Sequence, residues 1–543
     1  MHRVETDVLV IGGGAAAGRA AVEAAKYGLR VVLVDKGRFG KSGSTPFTSA
    51  MAVSFEKDEE ENTWQGHIQD TLSAGNGLAS RRFAEIMVKE SLQRLNELEE
   101  FGAVFQRHAD GRLMQNKAMG QTVPRSTHID FSKGDYMDVL RREAFHRGVR
   151  VYEQTMVASL LGNGEKVDGA LAVSKSGEMY FFSAKAFVMG AGSATKLFPY
   201  ASSVLKTTGD STCLGLACGA QAIDMEFTEL TLTPLLRGVP LSIGGIGTMV
   251  RWGAKYLNAA GERFMERYDP IHLEGTERSR VVTAVFKEIK AGRGPVICDF
   301  SEVPKDKVIH QTGYENPLLL HKRKSLEKTG QLEWTIVIHR LLGGLAVDEN
   351  GKTGLKNLWA AGEAAGGIHG AARVAANAVL ETQVFGARAG RAAALTASQM
   401  LLPTVTPKKL NATVTKLRSL EGKPSMPALS ARRLTEKVQH IMDAHANVVR
   451  NGTDLEKGLE QIREIRQNKM PLVKGPVIEV LEAHHLAMTA ELVLTAAFER
   501  RETRGNHRRE DYPQRDDVNW QRHIGLSLAD DDSIKIESVP VGN

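Results

Sequence analysis

The chain has little cysteine: three residues in 543, at Cys213, Cys218 and Cys298. None falls in a CxxC pair, so its thiols build neither an iron–sulfur cluster nor a zinc site, and any electrons it stores sit on another group. It lacks an apolar run long enough to cross a bilayer, and its opening residues, Met1 to Asp7, run into a strand pattern without a signal-peptide signature. These absences lead to the expectation of a cytoplasmic chain with no transmembrane segment of its own, any membrane contact being made peripherally through a partner subunit. Cations are not concentrated either. The 70 lysines and arginines are interleaved with 64 acids for a formal charge of +6, which is not the basic block of a nucleic-acid binder. What remains is 42% hydrophobic and 25% charged, a globular composition, and the length calls for two or three domains.

The opening is a βαβ pattern: an apolar strand at 7–11, a Gly/Ala turn, a helix to about Tyr27, and a second strand at 31–34. Alternating elements continue to about residue 190, where an apolar strand enters Gly190-Ala191-Gly192. Residues 225–330 are richer in turns and read as an inserted capping domain. Strand patterning returns after 331 and an Ala-rich helix runs from about 370 to 398, so the first domain is read as discontinuous, 1–224 with 331–402. Residues 403–500 carry long helical periodicities and read as a helical domain, and 501–543 as a charged, proline-bearing tail. The expected fold is α/β, a Rossmann-like dinucleotide-binding domain with an inserted α+β cap and a C-terminal helical domain.

Gly12-Gly13-Gly14-Ala15-Ala16-Ala17 matches GxGxxA between a strand and a helix. Gly12 permits the tight turn, Gly14 lets a pyrophosphate approach the backbone, and Ala17 keeps the helix close to the strand. Asp35 ends the second strand, where an acid can hydrogen-bond a ribose hydroxyl. A glycine turn can merely pack a helix on a sheet, but here strand, helix, second strand and terminal acid agree. The fingerprint alone does not separate FAD from NAD.

Asn357-Leu358-Trp359-Ala360-Ala361-Gly362-Glu363-Ala364-Ala365, then Gly367-Ile368-His369-Gly370-Ala371-Ala372-Arg373 and the stretch from Asn377 to Gly390, resemble the signature of the succinate dehydrogenase and fumarate reductase flavoprotein family. Aspartate oxidase and adenylylsulfate reductase are its relatives. GERFMERYDP at 261–270, His339 before Gly343-Gly344, and the run at 503–520 are similar to further landmarks, so the resemblance spans nearly the whole chain. It implies FAD. By resemblance Glu363 meets the ribityl chain, and the helix from Asn377 aims its positive end at the isoalloxazine ring. Lys36, Ser42, Ser44, Thr45, Gly190, Asp210 and Val379 are the other cofactor contacts it implies. The histidine that joins the flavin covalently in many members is replaced by Gly43, so non-covalent FAD is expected.

The resemblance implies a substrate site as well. His339 matches a substrate-carboxylate histidine, and Arg373 matches an arginine that clamps a carboxylate and stabilises enolate charge. The proton donor falls at Arg278 or, with a small shift of alignment, at Arg280. Two departures stand out. Where succinate and fumarate enzymes have HPTG, this chain has Met225-Glu226-Phe227-Thr228-Glu229-Leu230-Thr231, and an acid there would repel a dicarboxylate. The TExxRG segment becomes Gly247-Thr248-Met249-Val250-Arg251-Trp252, keeping Thr248 and Arg251 as substrate contacts while losing the relay glutamate.

The leading reading is a fumarate reductase-like or succinate dehydrogenase-like flavoprotein subunit that acts on a C–C bond next to a carboxylate of a small substrate. Its electrons would be exchanged with a separate iron–sulfur subunit. An adenylylsulfate reductase-like flavoprotein, and an electron-transfer subunit whose substrate site has decayed, remain the alternatives. No metal site of its own is expected.

Overall fold

The first apolar run becomes the inner half of β1 (His2–Ile11), where every residue from Thr6 to Ile11 is buried in the computed structural model of the protein. The structure describes residues 1–542 apart from 58–60, 203–205, 237–238, 241–249, 251, 277, 305–329, 420–428 and 468–472. α1 (Ala15–Ala25) follows β1, and β2 (Val31–Val34) returns parallel to it, Val8 opposite Val31 and Ile11 opposite Val34. On its other side β1 pairs in parallel with the strand Met179–Met189, which pairs in parallel with Leu358–Ala360. Central strands covered on both faces must be apolar throughout, which is why they read as unbroken runs and not as alternation. Arg150–Tyr152 extends the sheet beyond β2, and the antiparallel strands Val167–Ser174 and Thr155–Gly162 complete seven strands on the other side.

The helix Asn377–Gln399 closes this layer by packing along α1. The fit depends on missing side chains: a Cβ on Gly390 would lie 2.3 Å from the Ala20 carbonyl oxygen, and one on Gly386 2.8 Å from that of Ala16. Residues more than three hundred positions apart therefore share one core.

The cap is built on a five-stranded sheet in the order Val239–Pro240, Thr228–Leu236, Gln331–Leu341, Val296–Asp299, Lys255–Leu257. It extends past the boundary expected at residue 330, since Gln331–Leu341 lies between two cap strands and carries His339. A strand that crosses from cap to cofactor domain cannot be divided by composition, because its apolar pattern serves both cores. The helix Arg278–Lys290 packs on this sheet.

Three helices, Ala431–His445, Gly452–Gln467 and Val477–Glu499, pack on one another in the C-terminal part; Val477–Glu499 is buried along most of its length. The segment from 501 is not a free tail. Arg522–Leu528 and Ile534–Pro540 form a hairpin whose first strand pairs with Ala222–Ile223. Its charged lead-in is buried: Arg500 donates to Glu226 at 2.6 Å and to Glu502 at 2.9 Å, and Arg504 donates to Glu502 at 2.7 Å. Composition signals an exposed segment there because one compensating acid, Glu226, lies far away in the chain. No described helix is long and apolar enough to cross a membrane.

Candidate functional site

At the dinucleotide loop, Gly12 has φ of +118°, and a Cβ there would lie 2.3 Å from the Gly190 carbonyl oxygen. Only glycine satisfies both conditions. Ala17 abuts Gly190 in the same way, since a Cβ on Gly190 would sit 2.9 Å from that of Ala17. Gly14 caps α1, and above it the structure is open apart from the Thr45 hydroxyl, which accepts from the Ala15 amide at 3.3 Å. The amides of a helix's first turn have no intrahelical partner, which makes this an anion cradle.

Asp35, just past β2, is buried, and its Oδ2 has no hydrogen-bond partner among the described residues. Burial pushes its carboxyl pKa up, against the opposing hydrogen bond from Gly37. An orphaned carboxylate oxygen beside an open glycine turn fits a ribose hydroxyl, so the residues present fit the ADP half of a dinucleotide. Gly43 lies at the same place, its Cβ position 3.9 Å from the Gly14 Cα. Ser44 is in the same short loop.

The Gly362–Ala364 turn rests on α1, a Cβ on Gly362 meeting the Ala16 Cβ at 2.7 Å. Glu363 emerges from it and accepts from the Ser193 hydroxyl at 2.7 Å. Val379 is buried in the first turn of Asn377–Gln399, whose positive end points toward this region.

Several expected cofactor contacts are turned elsewhere. The Lys36 ammonium sits 2.8 Å from Asp210 and 2.9 Å from Glu482, and Asp210 also bonds His485 at 2.8 Å. Both side chains are spent on each other and on the C-terminal helix, because a buried charge is tolerated only when paired. Asn377 bonds His67 at 2.8 Å and Thr71 at 3.1 Å, leaving its backbone and not its amide group on the cofactor side. Ser42 closes its own turn, accepting from the Arg38 amide at 2.6 Å.

The expected substrate residues gather around a side chain that the sequence pattern marks as an obstacle. Glu229 is buried, and its carboxylate accepts from Arg278 at 2.7 Å and from both Nε and Nη2 of Arg373, at 3.2 and 3.1 Å. Burial alone would raise its pKa. Arg373, with His339 and Arg278, overrides this and holds the carboxyl well below the usual carboxylate range.

His339 reaches the same place through a β-bulge. Glu229 pairs with Arg340 and Leu230 with Ile338, so His339 is the extra residue, and such bulges re-aim a side chain. Its Nδ1 is 2.7 Å from the Ser202 hydroxyl. Burial lowers its pKa to about 4; Glu229 opposes this, while Arg373 and Arg278 add to it. The imidazole is therefore neutral near pH 7.

Arg278 and Arg280 separate clearly. Arg278 joins the Glu229 cluster, with its Nε 3.3 Å from the Met119 sulfur. Arg280 is 55% exposed and pairs with Asp269 at 2.9 Å, outside the cluster, because two residues on along a helix point to a different side. Of the two residues expected as proton donor, the structure brings Arg278 and not Arg280 to the Glu229 cluster. Thr228 points away as well, accepting from Arg450 at 3.1 Å, since neighbours on a strand face opposite sides. Thr248 and Arg251 lie outside the described residues.

A second buried group stands behind the site. Arg340 donates to Glu381 at 3.1 Å, and His369 bonds the same oxygen at 2.7 Å. Sequence patterns gave no sign of this trio, although His369 lies within the Gly367–Arg373 motif. Three buried atoms in it, Arg340 Nη2, Glu381 Oε1 and His369 Nδ1, have no partner among the described residues. The three cysteines are buried, and no cluster of metal ligands occurs among the described residues.

Two family models match the chain: one described as FAD binding domain over residues 7–379, the other as fumarate reductase flavoprotein C-term over residues 435–542. The chain is 32% identical to a subunit of the fumarate reductase (CoM/CoB) of Methanothermobacter marburgensis, covering 96% of this chain and 97% of that one. It is 26% identical to the succinate dehydrogenase flavoprotein subunit of Rickettsia bellii, over 98% of this chain and 95% of the relative. Among solved structures, Mycobacterium smegmatis Sdh1 in complex with UQ1 superposes with a TM-score of 0.88 at 26% identity, covering 99% of this chain and 95% of that one.

Proposed function

We propose, from the premise that this chain belongs to the fumarate reductase and succinate dehydrogenase flavoprotein family, that it oxidises or reduces a C–C bond next to a carboxylate. As a member it is a FAD-dependent oxidoreductase. The supporting observation is the convergence of Arg278, Arg373 and the neutral His339 on one carboxylate, that of Glu229. Two guanidinium groups and an imidazole at one point make a site for carboxylate oxygens and for the negative charge that develops on them in the reaction.

FAD, when bound, supplies or takes the hydride. The chain's own residues do the rest. The Gly12–Gly14 turn, Ala17 and Gly190 would hold the pyrophosphate of FAD, and Asp35 its ribose. Thr45, Ser44, Glu363 and the amides near Val379 complete the cradle. With glycine at 43, FAD is held without a covalent bond. Arg278 holds the proton for the carbon that does not receive hydride. Burial lowers its pKa, with Glu229 opposing, so its guanidinium is a stronger acid than one in water. His339, kept neutral and anchored by Ser202, offers Nε2 to the substrate. With three cysteines in the chain and none paired for a cluster, the electrons pass to a separate iron–sulfur subunit.

The test is to reduce the bound flavin anaerobically and follow its reoxidation by fumarate, larger enoates and adenylylsulfate. Rapid reoxidation by an enoate supports the reading. Reoxidation by adenylylsulfate alone transfers the protein to sulfur chemistry, and reoxidation by none indicates a subunit without a working substrate site.

A further inference from the structure

The pocket contains a carboxylate before any substrate arrives. Three of the five N–H groups of Arg373 are engaged, those of Nε and Nη2 with Glu229, which takes that fork, and one of Nη1 with the Val374 carbonyl oxygen at 3.0 Å. A substrate carboxylate can claim this fork only by displacing Glu229, which would strand a buried carboxylate without its partners. Beside this fork lie Nη2 of Arg278 and Nε2 of His339, the atoms that the bonds of these two residues to Glu229, Met119 and Ser202 do not use.

The charge count leads the same way. Arg278 and Arg373 carry two positive charges, Glu229 one negative charge, His339 none, and Arg340 is neutralised by Glu381. Among the described residues the cluster is left with a single uncompensated positive charge, enough for one carboxylate. A second substrate carboxylate entering beside Glu229 would meet a like charge.

We propose that Glu229 is a specificity-determining residue, a built-in carboxylate that fills one of the two carboxylate positions of the pocket, so that the substrate is a monoanion carrying its reactive C–C bond beside a single carboxylate. This rests on the enoate reading above. A substrate with a neutral ester, amide or alkyl group in place of the second carboxylate meets Glu229 without repulsion, and its carboxylate takes His339 while Arg278 keeps its role as proton donor. Discrimination by one unbalanced charge in a buried site is a large effect, on the order of ten- to a hundredfold in kcat/KM.

Fumarate and its monomethyl ester share a carbon skeleton and differ by one charge, so they are the probes. With the anaerobically reduced holoprotein, the ester should reoxidise the flavin at least about tenfold faster than fumarate at equal subsaturating concentration. Glu229→Gln should shift that ratio toward fumarate by a similar factor. Glu229→Asp keeps the charge and should keep the preference for the ester. Binding gives a second readout: monomethyl succinate, and not succinate, should perturb the oxidised flavin spectrum of the wild type. A wild type that prefers fumarate overturns the role of Glu229 while leaving the enoate reading intact. Failure of every enoate removes both. If Glu229→Gln does not fold, the wild-type ratio and the aspartate variant decide the matter alone.

Discussion

Replacing Glu381 by leucine should cost more stability than most single changes in this protein, because it leaves the Arg340 guanidinium buried without its carboxylate. Arg340 and Glu381 are almost completely inaccessible, their side chains 2% and 0% exposed, and the same carboxylate oxygen also bonds His369. Breaking a buried pair by removing one partner costs about 3–5 kcal/mol. The lowered proton affinity of Glu381 points the same way. Burial alone would raise its pKa, but Arg340 and His369 bring it from the ordinary 4.5 down to about 2. At about 1.4 kcal/mol per pH unit, that is on the order of 3 kcal/mol. The sign follows: this contribution is complete above pH 4.5 and is lost as pH falls toward about 2. The assay is urea unfolding of the FAD-free protein at neutral pH, followed by circular dichroism and tryptophan fluorescence, with ΔΔG taken from the midpoint shift at constant slope. Pairing Glu381→Leu with Arg340→Met should recover most of the loss, since apolar side chains of similar volume replace a buried ion pair at little cost. A single-variant loss below about 1 kcal/mol, or a double variant no more stable than the single one, would refute the reasoning.

Arg278→Gln should slow reoxidation of the reduced flavin by substrate by about 10²- to 10⁴-fold, the usual worth of a positioned acid, whereas Arg280→Gln should leave it nearly unchanged; rapid-mixing absorbance distinguishes them. Acid precipitation of the holoprotein should leave all of the yellow colour in the supernatant, because Gly43 offers no atom for a bond to the flavin, and colour retained in the pellet would refute this. His339, with its pKa lowered from 6.5 to about 4, should make the wild type lose stability as pH falls from 6.5 toward 4, where the unfolded chain takes a proton that the folded one refuses. His339→Gln should lack that slope in unfolding curves measured across the range.

Local rules reached far at the cofactor end. The Gly12–Ala17 turn, Asp35 at the end of β2 and the Glu363 turn are contiguous motifs whose geometry depends mainly on residues a few positions away, and the fold places them together on α1. Local rules do not say where a side chain with two possible faces will point. The side chains of Lys36, Asp210 and Asn377, expected at the cofactor by resemblance, pair with Glu482, His485 and His67, whose proximity no spacing reveals. The charged segment after 500 likewise reads as solvated until Glu226, more than two hundred residues earlier, is found beside Arg500.

By itself the sequence determined the βαβ opening and, through its resemblance to a flavoprotein family, the nature of the cofactor, because glycine spacing, apolar runs and motif order are properties of the chain read in one direction. Only the tertiary structure separated Arg278 from Arg280, and only it made Glu229 the partner of two arginines. Those outcomes depend on which side of a helix or strand faces the pocket, and on a one-residue bulge at His339. Burial then sets the charge on each group, and it exists only once distant segments have packed.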